Sequence, residues 1–326
     1  MLISRRTAIL SSLAAATGLV PVAAQQTWPT GKNITYVVPY PPGGTTDVLA
    51  RLIVQKLAPA LGATIIVENK PGATGAIGGD FVAKSAPDGF TILGTSIGPM
   101  AILPGLNPTL PYDPIASFEP VVMIGTIPSV LIVAGDSPYK SVADLVAAAK
   151  ANPGKLSFAS GGNGTILHMS GELLKLATGA DITHVPYKGD TPAIQDVIGG
   201  HATLMFAPVT PILPHIKSGR LRALAVATNK RIAELPDTPT LAEAGIKDAE
   251  AEQWQAIFLP KGTPRPVIDR LNAEIRKVLA EPDVADKLKA AGVTLRAETP
   301  EQLREVQKAD IAKWAKVIRA ANIKLD

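Results

Sequence analysis

Three short segments of the chain combine glycines with hydroxyl or amide side chains: 41–47 (PPGGTTD), 160–165 (SGGNGT) and 188–192 (KGDTP). Each segment follows a predicted strand and opens a predicted helix. The first turn of a helix carries unpaired N–H groups and a partial positive charge, which together attract anions. One such segment is equally well explained as a tight turn. Three of the same design favour a binding site for a carboxylate or another small oxyanion.

The candidate ligand-binding groups in these segments are backbone N–H groups, hydroxyls, one amide and one lysine. Glycine lets the backbone approach a ligand closely. Charge-assisted hydrogen bonds contribute roughly 1.5–3 kcal/mol each, so about five or six of them give micromolar binding without an arginine. Asp47 is interpreted as a helix cap, with receipt of a ligand ammonium as the alternative. The candidates are Gly43, Gly44, Thr45, Thr46, Ser160, Asn163, Gly164, Thr165, Lys188, Gly189 and Thr191.

The motif G-x-S-x-G at 94–98 raises an alternative function, an exported serine hydrolase with Ser96 as its nucleophile. Pro99 and Pro104 leave little room for the long helix that should follow such a serine, and the sequence has no His-Gly-Gly-Gly segment. The four histidines lie downstream, so a catalytic triad stays open. We favour Thr95 and Ser96 as hydroxyls lining a cleft, because both end a predicted strand, with simple turn residues as the other alternative.

Other chemistries find no support in the sequence. The histidines lack the i, i+4 spacing of a zinc helix, and no G-K-[ST] phosphate motif occurs, so we expect neither metal nor cofactor. Aromatic residues are 4% of the chain. Removal of a leader with Arg5 and Arg6 leaves 30 basic and 28 acidic residues, a net charge of +2, which predicts no nucleic-acid binding.

The candidate segments must be positioned by strands that alternate with helices. Apolar, β-branched runs at 36–38, 63–68, 90–93, 156–160 and 182–186 are each followed by a loop and a helical pattern. Such alternation predicts the α/β class with parallel, doubly wound sheets, in which loops gather at the carboxyl ends of the strands.

Two long apolar stretches, 121–134 and 252–259, are interpreted as crossovers between two domains. We therefore expect a first domain of residues 25–124 plus 252–326 and a second of residues 125–251. Two extended connections form a hinge with a cleft between the domains.

The first 24 residues are predicted to be an export signal. Arg5 and Arg6 precede an apolar run at 7–20 and a small-residue cleavage site at 22–24. The route, Sec or Tat, stays open. The chain has no cysteine, which excludes disulfides and a lipid-bearing cysteine. A periplasmic, freely diffusing monomer is expected.

Longer stretches of the sequence resemble the Bug/TctC family, the extracytoplasmic receptors of tripartite tricarboxylate transporters. The resemblance covers the chain from about Trp28 onward. It is carried by VVPYPPGGTTDVLAR, VENKPGATGAIGGDFVAKSAPDGFTILGTS, ASGGNGTILHMSGELL, HVPYKGDTPAIQDVIGG, SGRLRALAVAT and PDTPTLAEAG.

The resemblance implies a fold like that of the type II periplasmic binding proteins. It also implies that the two-domain receptor closes on a small carboxylate and delivers it to a permease of two subunits. It also implies that the glycine segments hold the carboxylate. In HATLMFAPVT (201–210) the chain departs from the family, which often has a polar residue where Ala207 stands. Ala207 is therefore a candidate lining residue of a more apolar pocket. The alternative to transport is a sensor that presents its ligand to a membrane kinase.

Overall fold

The computed structural model describes residues 28–324, so the predicted export signal lies outside the described residues. None of the helices in the described range is long and apolar enough to cross a membrane. The strands are β1 (Ile34–Val38), β2 (Ile65–Asn69), β3 (Thr91–Ser96), β4 (Phe118–Ile127), β5 (Ser129–Ala134), β6 (Ser157–Ser160), β7 (Thr183–Pro186), β8 (Leu204–Pro208), β9 (Leu221–Val226), β10 (Gln253–Pro260) and β11 (Thr294–Glu298). The helices are α1 (Thr45–Leu61), α2 (Ala76–Ala83), α3 (Leu103–Leu106), α4 (Val142–Ala151), α5 (Ile166–Thr178), α6 (Asp190–Ile198), α7 (Val209–Lys217), α8 (Arg265–Ala280), α9 (Pro282–Ala290) and α10 (Pro300–Ala320).

The first sheet has the strand order β11-β4-β10-β3-β1-β2. β1 pairs in parallel with β2 and β3, whereas β10 is antiparallel to β3 and β4. The predicted α/β class is confirmed. The expectation of a parallel sheet is wrong for the half of the first sheet that contains β10, β4 and β11, where neighbouring strands are antiparallel. The reason is that β4 leaves toward the second sheet and β10 returns from it, so the two must run in opposite directions.

Helices cover both faces of the first sheet. Alternate side chains of β1 point to opposite sides: Ile34, Tyr36 and Val38 pack with α1, α8 and α9, while Val37 packs with α2, α3 and α10. The chain runs from β1 to β2 on one side and then to β3 on the other. The doubly wound sheet thus reverses direction between β1 and β3, which is where ligands bind in such sheets.

The second sheet repeats this arrangement in the order β7-β6-β8-β5-β9. β6 pairs in parallel with β7 and β8, and β5 pairs antiparallel with β8 and β9. The winding direction reverses between β6 and β8, so the loop after Ser160 and the end of β8 lie at the corresponding crevice.

The two crevices lie at edges of the sheets that are joined by short connections. Pro128 is the single residue between β4 of the first sheet and β5 of the second. β10 returns to the first sheet with Gln253 paired to Ile127, the last residue of β4. The carboxyl ends of β1, β3 and β4 therefore point toward the edge of the second sheet that carries the other two glycine segments. The domain boundaries themselves stay a prediction.

The chain end is held by a capped helix and a strand that sequence inspection missed. Thr299 and Gln302 form the reciprocal hydrogen bonds of a capping box at the start of α10. β11 pairs with β4 at the edge of the first sheet. Its residues alternate between exposed and half-buried, so no apolar run marked it.

Candidate functional site

The N-terminus of α1 carries backbone donors without a protein acceptor. Two glycines precede its first turn. The φ of Gly43 is +81°, which favours glycine, and Gly44 occupies the N-cap position but has no side chain that could accept from the helix. The first helical bond runs from Val48 N–H to the Gly44 carbonyl, and within the described residues no protein group accepts from the N–H groups of Gly44, Thr45 and Thr46. Residues 41–45 are exposed. This end of α1 is suited to receive an anion.

Asp47 closes the loop in front of this helix end. Its buried carboxylate accepts hydrogen bonds from Gly43 N–H (2.9 Å), Asn69 Nδ2 (2.9 Å) and Arg51 Nε (3.0 Å). Burial opposes ionisation, but the hydrogen bonds from Arg51, Gly43 and Asn69 outweigh it and lower the pKa of Asp47. Asp47 therefore shapes the loop from behind and is not available to a ligand ammonium.

Behind the helix end lies a buried polar network at the edge of the first sheet. Thr46 Oγ1 donates to Gln255 Oε1 at 2.9 Å, and the hydroxyls of Tyr40 and Ser96 are 2.7 Å apart. Ser96 and Gln255 are cross-strand partners of β3 and β10. The Gln255 Nε2 group is buried and has no protein partner among the described residues. Sequence reasoning missed Gln255, although an amide inside the apolar strand QWQAIFLP was a usable signal.

The residues of the G-x-S-x-G motif are explained by packing. A Cβ on Gly94 would lie 2.2 Å from the Tyr36 ring, so glycine is required for that contact. Ser96 is 5% exposed, and Thr95, on the opposite face of β3, is 1% exposed with an unpartnered hydroxyl. Neither hydroxyl is presented at the surface as a nucleophile.

The chain after this motif forms only short helical segments. A π-helical segment at Gly98–Ile102 and the four-residue helix α3 follow β3, in agreement with the expectation that Pro99 and Pro104 leave little room for a long helix. Each proline occupies one of the first two positions of its segment, where the missing N–H costs no hydrogen bond.

The second glycine segment is held mainly by its own hydrogen bonds. Ser160 Oγ lies 2.7 Å from His184 Nε2 and accepts from Gly162 N–H at 3.2 Å. Thr165 caps α5 by accepting from His168 N–H, and its hydroxyl donates to the Gly162 carbonyl at 2.9 Å. The Thr165 hydroxyl, which was predicted to donate to the ligand, thus already donates to a carbonyl within the loop, and the Ser160 hydroxyl is also hydrogen-bonded there.

A pair of stacked imidazoles supports this loop from inside. The rings of His168 and His184 lie 3.9 Å apart and nearly parallel, and the Phe158 ring lies 4.7 Å from His184 and 6.2 Å from His168. His168 Nδ1 accepts from Gly164 N–H at 3.2 Å, which fixes that nitrogen as an acceptor. Burial, followed by the nearby His184 and Lys175, lowers the pKa of His168 to about 3.

The third segment is bound to the second. Gly189 N–H donates to the Gly161 carbonyl at 3.1 Å, and Tyr187 N–H donates to the Ser160 carbonyl at 2.9 Å. α6 begins at Asp190, which sequence reasoning did not single out, while Lys188 and Thr191 are exposed. The structure therefore brings the second and third segments together at one crevice.

The remaining candidates differ in their accessibility. Asn163 is half-buried, Gly164 is buried, and Ala207 is fully buried in β8 opposite Val130. Ser129, at the start of β5, is also fully buried and has an unpartnered hydroxyl. Over residues 28–324, no cluster of three side chains suited to a metal ion is found.

Comparison with known proteins identifies the family. The sequence model described as "Tripartite tricarboxylate transporter family receptor" matches residues 49–323. The chain belongs to this family. Protein BugT of Bordetella pertussis (strain Tohama I) is 38% identical to it over 326 residues, with 100% of both chains covered. The Bug/TctC resemblance predicted from the sequence is thereby confirmed, and the family is one of transporter receptors, not of enzymes.

Two solved structures of similar chains contain dicarboxylates. The R. palustris protein Rpa4515, solved with adipate, has a TM-score of 0.81 and 36% identity, and the match covers 91% of this chain and 99% of that one. MatC (Rpa3494) from Rhodopseudomonas palustris, with bound malate, has a TM-score of 0.77 and 31% identity, covering 88% and 98%. The tricarboxylate transporter receptor fold of the present chain is therefore well established.

Proposed function

We propose that this chain is a periplasmic receptor that closes around a small organic carboxylate and delivers it to a membrane permease of two subunits. The observation that carries the proposal is the N-terminus of α1. Its free N–H groups at Gly44, Thr45 and Thr46 lie beside the winding reversal of the first sheet, and the edge of that sheet points toward the other glycine segments. Adipate and malate in the two similar structures support a carboxylate as the ligand class.

The binding energy comes from fixed dipoles and hydroxyls. An anion at the start of α1 gains roughly 0.3–1 kcal/mol, and up to about 2, from the helix end. Each charge-assisted hydrogen bond adds roughly 1.5–3 kcal/mol. The free N–H groups of Gly44, Thr45 and Thr46 and the exposed Thr45 hydroxyl supply such bonds without a basic side chain. Closure of the second sheet over the ligand would exclude water and strengthen them.

A serine hydrolase is a poorer match to the site. Ser96 is buried and its hydroxyl is hydrogen-bonded to Tyr40, so it is neither accessible nor activated by a base. Among the described residues, no histidine or carboxylate is hydrogen-bonded to the Ser96 hydroxyl, as nucleophilic catalysis by Ser96 would require. Ligand turnover is therefore not part of the proposed function.

A thermal-shift screen followed by calorimetry tests the proposal. The panel contains mono- and dicarboxylates, including adipate and malate, with the corresponding amides as uncharged controls. We expect at least one carboxylate to raise the unfolding temperature and bind with a 1:1 stoichiometry at micromolar or tighter Kd, while its amide does neither. Failure of every carboxylate to bind would contradict the proposal.

A further inference from the structure

Asp190 places a carboxylate directly against the second glycine segment. A Cβ added to Gly161 would lie only 2.1 Å from Asp190 Oδ1, so the absence of a side chain at Gly161 makes room for this carboxylate. The contact is held by the hydrogen bonds from Gly189 to Gly161 and from Tyr187 to Ser160. The carboxylate is thus a built-in part of the crevice at the end of β6.

The Asp190 carboxylate is also without a partner. Between residues 28 and 324, no protein donor is hydrogen-bonded to it and no cation forms an ion pair with it, and burial raises its pKa. Other aspartates of the chain differ: Asp47 has three donors, and Asp196 accepts from the Tyr187 hydroxyl at 2.6 Å. A half-buried carboxylate without a donor is unfavourable unless another group completes it.

The two sides of the site therefore differ in chemical character. At α1, the N–H groups of Gly44 and Thr45 are free and suited to an anion. At the second sheet, the N–H groups of Gly162 and Gly164 are already bonded to Ser160 and His168, and the half-buried carboxylate of Asp190 beside them is an acceptor. A carboxylate on its own would satisfy the first side and be repelled by the second.

We propose that Asp190 is a specificity-determining residue that receives a protonated amine of the ligand whose carboxylate lies at the start of α1. The ammonium donates hydrogen bonds to Asp190 Oδ1 and Oδ2 and neutralises its charge. This inference rests on the proposed function, since it adds a second recognition group to the same site.

Matched pairs of ligands that differ only in the amine test the inference. Calorimetry would compare aspartate with succinate, glutamate with glutarate and alanine with propionate, on the wild type and on Asp190→Asn. In at least one pair we expect the amine-bearing member to bind the wild type at least about tenfold more tightly. Asp190→Asn should remove that preference without weakening the binding of the other member, because it takes away a charge that repels a carboxylate.

A second set of variants guards against a purely structural role for Asp190. Gly161→Ala leaves Asp190 in the chain but displaces its carboxylate, and it should reproduce the lost preference. Without ligand, Asp190→Asn should not lower the unfolding temperature, because burial of the unpaired carboxylate offsets its favourable position at the start of α6. Asp196→Asn is the matched control on the same helix and should lower it, because Asp196 has a hydrogen-bond partner.

The outcomes separate this inference from the proposed function. Binding of succinate, glutarate or propionate without any preference for the amine, or a preference that survives in Asp190→Asn, overturns the role of Asp190 alone. A loss of stability in ligand-free Asp190→Asn also contradicts it. If no member of any pair binds the wild type but another carboxylate of the thermal-shift screen does, the role of Asp190 is overturned and the carboxylate receptor stands. If no carboxylate binds at all, both fail.

Discussion

The Thr46 hydroxyl donates a 2.9 Å hydrogen bond to Gln255 Oε1, between residues that are 209 positions apart in the chain. Both side chains are buried. The bond joins the first turn of α1, where we place the ligand carboxylate, to the beginning of β10, where the chain returns from the second sheet. The binding end of α1 is therefore fixed to one of the two connections between the sheets.

Removing the donor of this bond should destabilise the protein. In Thr46→Val, the Gln255 Oε1 is left buried without a donor, which is expected to lower the free energy of unfolding by about 1–3 kcal/mol. Urea denaturation of Thr46→Val, Gln255→Met and the double variant measures the coupling between the two residues. We expect the double variant to lose less than the sum of the single losses. Strict additivity would contradict a direct hydrogen bond.

Asp47 should act on ligand binding through the loop and not through its charge. Asp47→Ala removes the acceptor that holds Gly43, so the loop before α1 becomes less ordered and we expect the Kd for a carboxylate to rise about tenfold. Asp47→Asn is the matched control. It keeps an acceptor and removes a negative charge near the anion, so it should bind at least as tightly as the wild type. Equal affinities for the wild type and Asp47→Ala would refute this positioning role.

Gly94 should be required for packing, in contrast to Gly98 of the same motif. Gly94→Ala brings a methyl group into the Tyr36 ring, and overpacking of this kind costs about 1–3 kcal/mol. The nearest group to a Cβ on Gly98 is the Tyr40 hydroxyl at 3.6 Å, so Gly98→Ala should change stability by less than about 1 kcal/mol. Thermal unfolding of both variants checks the difference. Similar losses of stability in Gly94→Ala and Gly98→Ala would contradict the explanation of Gly94 by its packing against Tyr36.

The local elements of the site were predictable from the sequence because their signals are local. The strand, glycine loop and helix around Gly43 lie in one continuous stretch, and the cap at Thr299 depends on a residue only three positions away. The winding reversals that place these loops at crevices follow from the order of strands and helices.

The partners of the site residues could not be predicted, because they lie far apart in the chain. From the sequence, Thr46 was expected to be a donor in a ligand-binding loop. In the structure its side chain is buried and its hydroxyl donates to Gln255. Nothing in the sequence distinguished Asp190 from its neighbours in the segment 188–192. Its importance became visible only from its position against Gly161 in the structure. The extended segment that forms β10 was predicted, but its antiparallel direction was not, since that direction is set by where the chain re-enters the sheet. Strand β11 was not predicted at all.

Acid should destabilise the protein through His168. Its pKa in the fold, about 3, is below the ordinary value of 6.5, so the unfolded chain binds the proton first and stability is lost as pH falls below about 6.5. From pH 7 to pH 5 this amounts to about 2 kcal/mol. Denaturation of the wild type and His168→Asn, whose Oδ1 can accept from Gly164, measures the effect. The variant should show a flatter pH dependence, and an unchanged slope would exclude His168 as its source.

The most direct test of the receptor account is the affinity of Thr45→Asp for the carboxylate that binds the wild type. Thr45 is exposed at the first position of α1, where an aspartate favours the helix by about 0.3–1 kcal/mol, so the fold should not be weakened. Like charges about 5 Å apart at an effective dielectric constant of about 20 repel by about 3 kcal/mol. Calorimetry should therefore show binding weakened on the order of a hundredfold in Thr45→Asp, with Thr45→Asn within about tenfold of the wild type. Wild-type affinity in Thr45→Asp would contradict the placement of the ligand carboxylate at the N-terminus of α1.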